Sequence, residues 1–478
     1  MVTEILTPRR PVSGRDSVDT GVTKSQKWAL GLCSVASFVV ILDMLVVATA
    51  LSTIRRDLGA SLADLEWTVN AYTLSFAVLL LTGAALGDRY GRRRMFAVGL
   101  GLFSVASAAC ALAPSIGALI AARTLQGAGA AVLMPLALAM LNTAFPPERR
   151  GWALGVWGGV TGLAAAVGPL VGGAVTQGLD WEWIFWVNVP IGLLAIPLVL
   201  TRLPESTGAR APLDLPGIAL AAAASFGVVW ALVRGGWAAL LPFAGGVVAA
   251  IAFVAVESGR ASAPMLPLRL FRSRHFAAGN AAILLLNAAL TGAVFFLAQF
   301  FQTAGGDGPF AAGLRLLPLG LVPLLVGPRA GALADRVGER VLIVTGSATM
   351  AVAMAWIAAV ASPGVPYVQT VGPVALAGLG ISLAVPAMTR AVISRVAPVD
   401  MAKASATFST VRQLGGALGV AVTGAAFTSA GGYGSAAAFA DGMAPAFAVA
   451  AVLAAAATAA SLAIPRPAPV AVTVPGHG

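Results

Sequence analysis

Fourteen apolar stretches, each long enough to cross a bilayer, fill most of this 478-residue chain. A spanning helix needs about 20 mostly apolar residues, and within lipid it must bond all of its own backbone N–H and C=O groups. The sequence therefore predicts an all-α integral membrane protein. The predicted spans are 28–51, 67–87, 95–113, 116–142, 152–176, 183–201, 214–233, 236–256, 276–302, 309–332, 341–361, 368–393, 407–430 and 442–464.

Composition excludes several other classes of protein. The chain is 58% hydrophobic and 10% charged, whereas a soluble domain carries about 25% charged residues. The net charge of +11 is spread in short clusters between the spans, which argues against a nucleic-acid partner. The two cysteines, Cys33 and Cys110, lie inside predicted spans, and His275 and His477 are the two histidines. We therefore expect no metal, no cofactor and no enzymatic activity, and an ion gradient as the energy source.

The loops differ in charge from one side of the predicted membrane to the other. Basic residues cluster at 89–94, 149–150, 202–210, 260–274, 336–340 and 390–403, and in the N-terminal tail. The opposite loops hold the basic residues Arg55, Arg56 and Arg234, together with the acids Asp57, Asp64, Glu66, Asp180, Glu182, Asp307 and Asp441. Because Lys and Arg are enriched in cytoplasmic loops, we expect a cytoplasmic-membrane protein with both termini in the cytoplasm.

An internal repeat divides the chain. The sequence LGDRYGR at 86–92 recurs as LADRVGER at 333–340, after the second and the tenth spans. Duplicated halves are typical of secondary transporters, so the repeat predicts six spans, two extra spans and six more. The predicted segments are a disordered cytoplasmic tail (1–27), a first half (28–203), a linker with two spans (204–274), a second half (275–464) and a cytoplasmic tail (465–478).

One acid lies deep inside the first span. Asp43 follows Leu42 in an otherwise apolar run, and a charged side chain at the bilayer centre costs about 2.5–3.5 kcal/mol even on insertion scales. Intramembrane acids of this kind often relay protons, so we expect Asp43 to couple proton movement to transport. Arg123 in the fourth span needs a partner, and Asp43 and Asp88 are the candidates. A purely structural ion pair between helices is the alternative interpretation.

The repeated loop has a sequence suited to a switch. Gly91 permits a tight turn between antiparallel helices, and Asp88 can hold a helix N-terminus or an arginine. The alternative is that the arginines only fix topology. Because the ordered Gly/Asp/Arg spacing occurs twice, we interpret it as a conformational latch. Its predicted members are Asp88, Arg89, Gly91, Arg92, Asp335, Arg336 and Gly338.

The fifth span is rich in small residues, which allow membrane helices to approach closely. It includes Gly168, Pro169, Gly172 and Gly173. Close packing alone needs no proline, and Pro169 would bend the helix. We therefore expect this bend to matter for alternating access.

On these residues the chain resembles the fourteen-span drug/proton antiporters of the major facilitator superfamily, over nearly its whole length. Residues 86–93 resemble the superfamily's loop motif, although Ala84 stands where its leading glycine is usual. Residues 123–129 resemble the fourth-span motif linked to proton coupling, and 168–173 the fifth-span motif associated with exporters. The resemblance implies multidrug efflux and antibiotic resistance by alternating access, powered by protons.

The chain also departs from that family. Leu45, Ala48 and Ser52 stand where threonine, asparagine and proline are usual, which predicts a more apolar cavity around Asp43. Glu182 stands where an arginine is common, so the resemblance carries over the mechanism and does not specify the substrate. The predicted cavity residues are Asp43, Gln126, Trp157, Asn280, Asn287 and Thr291. Buried amides that only bond neighbouring helices, and a tryptophan that faces lipid, are the alternatives.

These residues also predict a class of substrate, and they leave alternative functions open. One carboxylate in an apolar cavity predicts neutral or monocationic lipophilic substrates, carried by a functional monomer in the bilayer. The alternatives are an exporter of an endogenous metabolite or lipid, a proton-coupled importer, or a membrane sensor, since a fold alone does not settle function.

Overall fold

The computed structural model describes residues 22–208, 214–259, 266, 268–397 and 400–465, and within these ranges all regular structure is helical. The α-helices are α1 (Lys24–Leu58), α2 (Leu62–Tyr90), α3 (Arg92–Ala111), α4 (Ile116–Ala144), α5 (Pro147–Gly178), α6 (Trp183–Trp186), α7 (Asn188–Arg202), α8 (Leu215–Arg234), α9 (Leu240–Gly259), α10 (Arg274–Thr303), α11 (Pro309–Val337), α12 (Glu339–Val360), α13 (Tyr367–Ile393), α14 (Met401–Ala430) and α15 (Ala436–Leu462). Short 3₁₀ turns precede α9 and α10.

The helices give the predicted number of spans. Thirteen stretches in the described part of the chain are long and apolar enough to cross a membrane, and α6 and α7 together form one of them. Pro190 explains the break in that span, because its ring excludes a helical bond to Trp186, the last residue of α6. The remaining helix, α14, is 30 residues long and includes Lys403 and Arg412. With α14, the all-α fold of about fourteen spans is confirmed.

Several helices begin before their apolar stretches do. Thr23 accepts the backbone N–H of Gln26, and the Gln26 side chain accepts the N–H of Thr23. This capping box starts α1 at Lys24, inside the segment 1–27 that we expected to be disordered. Residues 1–21 and 466–478, which hold most of both predicted tails, lie outside the described residues.

The extra pair of spans packs against one side of the two halves. Helices α8 and α9 pack against each other, and α8 touches α2 of the first half and α14 of the second. Gly91 between α2 and α3 has φ 103°, and Gly338 between α11 and α12 has φ 85°. The same left-handed turn thus occurs at equivalent places in the repeat. The exact segment boundaries remain predictions.

A central cavity separates the halves at one end. We call the side on which α1 begins and α15 ends the terminal face, and the other side the opposite face. Toward the opposite face, Gly313 and Gly320 of α11 lie directly against Pro169 and Ala166 of α5. Toward the terminal face the same helices separate, and Gly158 has open space around it. The resulting cavity measures about 760 Å³ and widens toward the terminal face.

Gly320 and Gly327 lie two turns apart on α11 and give a matched pair of substitutions. A methyl group at Gly320 would collide with Ala166, whereas the space at Gly327 is open. We expect Gly320→Ala to lower the free energy of unfolding by about 1–3 kcal/mol through overpacking. Gly327→Ala should leave it unchanged or raise it, because Ala favours helix. Melting temperatures of the purified variants measure both, and a wild-type value for Gly320→Ala would contradict this packing of α5 and α11.

Candidate functional site

Asp43 lies at the centre of a polar network inside the first half. Its side chain is 1% exposed, and Oδ2 contacts Nη1 of Arg123 at 2.5 Å. Oδ1 accepts hydrogen bonds from Nε2 of Gln126 and Nδ2 of Asn188, each at 2.8 Å. Arg123 and Gln126 are three residues apart on α4 and so share a face. The network therefore joins α1, α4 and α7 around one buried ion pair.

Further contacts satisfy the other atoms of the arginine. Arg123 Nη1 also donates to Oε1 of Gln126 at 2.6 Å, and Nε donates to the carbonyl of Thr68 at 3.3 Å. The guanidinium lies 4.3 Å from the centre of the Tyr72 ring, a cation–π contact. Arg123 is thus held by a carboxylate, an amide, a carbonyl and an aromatic face, as a buried charge requires.

Helix α3 supplies an outer support for the same network. Ser107 accepts from Nε2 of Gln126 at 2.8 Å and from Nδ2 of Asn188 at 3.4 Å. Its own hydroxyl donates to the carbonyl of Phe103. Ser107 and Asn188 were not among the predicted site residues. A signal for Asn188 was present, since an amide beside Pro190 in an apolar span needs a polar partner.

The central cavity lies on the other side of α1. That helix presents Ile41, Met44, Leu45 and Ala48 to the cavity, a stripe with helical spacing that excludes Asp43. The aspartate points instead into the first half, toward α4. The expectation of neutral or monocationic substrates rested on an acid in the cavity, and the structure places that acid behind α1.

Of the other predicted cavity residues, two line the cavity and three make contacts elsewhere. Asn287 and Thr291 of α10 line the cavity. Trp157 of α5 donates its indole N–H to Ser37 of α1 at 2.8 Å. Gln126 belongs to the Asp43 network, and the Asn280 amide donates to the carbonyl of Phe276 one turn earlier in its own helix. Arg412 and Gln413 of α14, which were not predicted for the cavity, also form part of its wall.

The predicted exporter segment forms close helix contacts. A Cβ at Gly168 would lie 2.9 Å from Cβ of Leu45, and one at Gly172 would lie 2.7 Å from the carbonyl of Val46. Gly173 faces Pro309 at the start of α11. Helix α5 continues through Pro169. These small residues therefore let α5 touch α1 on one side and α11 on the other.

The predicted latch is tied to the segment that follows α7. Asp88 accepts two hydrogen bonds from Arg92, at 2.8 and 2.9 Å. The Arg92 N–H donates to the carbonyl of Ser206, and the Arg93 N–H to a carboxylate oxygen of Glu205. Arg89 lies over the Tyr90 ring. These contacts join the loop between α2 and α3 to the start of the predicted linker, at the terminal face where the cavity is wide.

The second copy of the latch is described only in part. Gly338 makes the turn, while the side chains of Asp335 and Arg336 lie outside the described residues. Next to this turn, Glu339 of α12 pairs with Arg390 and Arg395 at the end of α13. A conformational role for either loop remains a prediction.

The opposite face is closed by a polar cluster that the sequence did not reveal. Tyr433 donates its hydroxyl to Oε1 of Gln299 at 2.5 Å, and Arg55 lies 4.1 Å from its ring centre. Burial raises the pKa of the Tyr433 phenol, which therefore remains a donor. Gln302 bonds the carbonyl of Thr49 across the two halves. Glu66, which we had placed in a loop, is 2% exposed and lies against Gly424 of α14.

Two pseudo-equivalent helical halves around a central cavity, with a buried charge network in one of them, define a membrane transporter. The chain belongs to the Major Facilitator Superfamily, whose family model matches residues 33–420. This result confirms the resemblance in the sequence, and it confirms that the chain is a transporter and not an enzyme.

Similar proteins support the family assignment. The chain is 40% identical to the cephamycin export protein CmcT of Amycolatopsis lactamdurans, over 90% of both chains. It is 36% identical to a tetracenomycin C resistance and export protein of Streptomyces glaucescens, over 83% of this chain and 75% of that protein. It is 39% identical to the puromycin resistance protein pur8 of Streptomyces alboniger, over 88% and 85%.

A solved structure shows the same fold. The bacterial homologue of the human lysosomal transporter Spinster, in an inward-facing and unoccupied conformation, superposes with a TM-score of 0.68 at 18% identity. The match covers 94% of this chain and all of that one.

Removing Arg123 should reveal the free-energy cost of burying Asp43 without a partner. Arg123→Gln would leave Asp43 as an unpaired buried charge, so we expect a loss of about 3–5 kcal/mol in the free energy of unfolding. Adding Asp43→Asn to the same chain should restore most of this loss, because no charge is then buried. Thermal unfolding of the two single variants, the double variant and the wild type gives the coupling. If the free energy of unfolding lost in the double variant equalled the sum of the losses in the two single variants, that result would contradict the pairing.

Proposed function

We propose that the protein is a proton-coupled antiporter that exports lipophilic small molecules, antibiotics among them, across the cytoplasmic membrane by alternating access. Three relatives at 36–40% identity are named for antibiotic export or resistance. The observation that carries the proposal is the position of α1: one side of this helix bears Asp43, and the other side forms the wall of the cavity.

This position of α1 gives a physical route for coupling. A proton on Asp43 would leave Arg123 as a buried cation without its carboxylate, which costs free energy until the helices move. The Asp43–Arg123 pair ties α1 to α4, so its loss would weaken that contact. Because α1 also packs against Gly168 and Gly172 of α5, a shift of α1 would alter the cavity. In this proposal, proton and substrate act on opposite sides of one helix.

A proton gradient supplies enough energy for such an exchange. One elementary charge crossing 100 mV is worth about 2.3 kcal/mol, which supports a substrate gradient of roughly fiftyfold. A pH gradient adds to this value.

The orientation that suits export places the terminal face in the cytoplasm. The basic clusters at 89–94, 149–150 and 390–403 all lie on that side, as expected for cytoplasmic loops. The cavity would then be open to the cytoplasm, where an exporter collects its substrate.

Asp43→Asn tests the coupling. We expect this variant to lose proton-driven transport, because asparagine keeps the shape of the side chain and cannot titrate. Uptake of tetracenomycin C, the compound for which one relative is named, into everted vesicles with and without a protonophore measures transport. Asp441→Asn is the matched control, since Asp441 is exposed on α15. Full protonophore-sensitive uptake by well-expressed Asp43→Asn protein would remove Asp43 from the mechanism.

Reporter fusions test the orientation. Fusions after Arg94 and at the C-terminus should both report the cytoplasm, and a fusion after Asp180 should report the outside. A fusion within the α14–α15 connection, after Gly432, should also report the outside. If α14 did not span the membrane, both results would be reversed: the reporter at Gly432 would report the cytoplasm and the reporter at the C-terminus would report the outside.

A further inference from the structure

The cavity wall contains an arginine whose side chain has no partner among the described residues. Arg412 of α14 lines the cavity and is half-buried. In the described part of the chain, its guanidinium has no carboxylate within ion-pair distance and makes no side-chain hydrogen bond or ring contact. By contrast, Arg123 is paired with Asp43, and Arg315 near the opposite face is paired with Asp307 at 2.8 Å.

Arg412 is fixed in place by its backbone. Asn287 of α10 donates an amide hydrogen bond to the carbonyl oxygen of Arg412 at 2.8 Å. Gly416, one turn later, brings α14 close to Asn287 and Thr291. The arginine is therefore held on a rigid helix contact at the cavity wall.

The polar side chains of the cavity all lie on one side, and the facing walls are apolar. Among the described residues that line it there is no acid, and the polar side chains are Asn287, Thr291, Arg412 and Gln413. All four belong to α10 and α14 in the second half. The facing walls on α1 and α5 carry aliphatic side chains and glycines, such as Met44, Leu45 and Gly158. A volume of about 760 Å³ lies within the range of drug-sized ligand pockets.

An unpaired cation in an apolar cavity favours one kind of ligand. Desolvating a charge without a partner is costly, and a second cation beside it would be repelled. The planar guanidinium matches carboxylate, sulfonate and phosphate oxygens and can bind them through two parallel hydrogen bonds. A ligand with an apolar body and one anionic group would fill the cavity and neutralise Arg412.

We propose that Arg412 determines substrate specificity, and that the cavity takes lipophilic organic monoanions. This inference rests on the proposed export function and names the substrate class for it. The substrate anion binds Arg412 in the second half, while the proton binds Asp43 in the first half, so the two sites are separated by α1 and the cavity. Export of such an anion is also favoured by a membrane potential that is negative inside.

A pair of matched probes tests the proposal without a proton gradient. 8-Anilinonaphthalene-1-sulfonate and N-phenyl-1-naphthylamine share the same aromatic body, and only the first carries an anionic group. Equilibrium dialysis against the full-length protein in nanodiscs, with empty nanodiscs as background, gives both dissociation constants. The wild type should bind the sulfonate at least about tenfold more tightly than Arg412→Gln does, the loss expected for a charged hydrogen bond.

The neutral probe and two further variants complete the test. Binding of N-phenyl-1-naphthylamine should change less than about threefold in Arg412→Gln, because that ligand does not use the charge. Arg412→Lys should retain part of the sulfonate affinity, and Arg56→Gln, which removes an exposed arginine at the opposite face, should retain all of it. Melting temperatures confirm that the variants are folded.

Two results would overturn the inference. Equal sulfonate affinity in the wild type and in folded Arg412→Gln would mean that the arginine does not bind the anion. An equal loss for both probes would mean that Arg412 only maintains the shape of the cavity. Because dialysis needs no gradient, the two proposals can fail separately: absence of proton-driven transport by the wild-type protein in vesicles would contradict the proposed function and would leave this binding result intact.

Discussion

The buried pair between Asp43 and Arg123 is the constraint on which the first half depends. Both side chains are 1% exposed, and the pair connects α1 with α4 in a region where each charge alone would be costly. The bonds of Gln126 and Asn188 extend the same network to α3 and α7. Four spans are thus held by one charge-neutral cluster, and in the proposed mechanism a proton on Asp43 would release them.

Small residues determine where the two halves can meet. Gly168 and Gly172 bring α5 against α1, and Gly313 and Gly320 bring α11 against α5, all nearer the opposite face. At that face, Tyr433 and Gln302 add polar contacts between the halves. Toward the terminal face such contacts give way to the open cavity. The cavity is therefore closed at the opposite face and open toward the terminal face, as one state of the proposed alternating-access cycle requires.

The two proposed sites have opposite charges and lie in different halves of the protein. The acid lies inside the first half and the unpaired cation lies on the second-half wall of the cavity. A substrate in the cavity would contact Arg412 and the apolar side of α1, and would not compete directly with the proton for Asp43. Coupling between them must then pass through the position of α1, a linkage between two distinct sites.

The sequence by itself determined the fold class, the number of spans and the repeat, because a bilayer imposes the length and apolarity of each span. It also identified Asp43 and Arg123, since charges within spans are rare enough to stand out. Only the tertiary structure decided which side of α1 faces the cavity, that Asn188 and Ser107 complete the network, and that Glu66 is buried against Gly424. It also placed Arg412 at the cavity wall, with no ion-pair partner among the described residues. These features depend on how helices far apart in sequence are rotated and packed against one another. In a chain that is apolar on nearly all faces, helical periodicity does not specify that rotation.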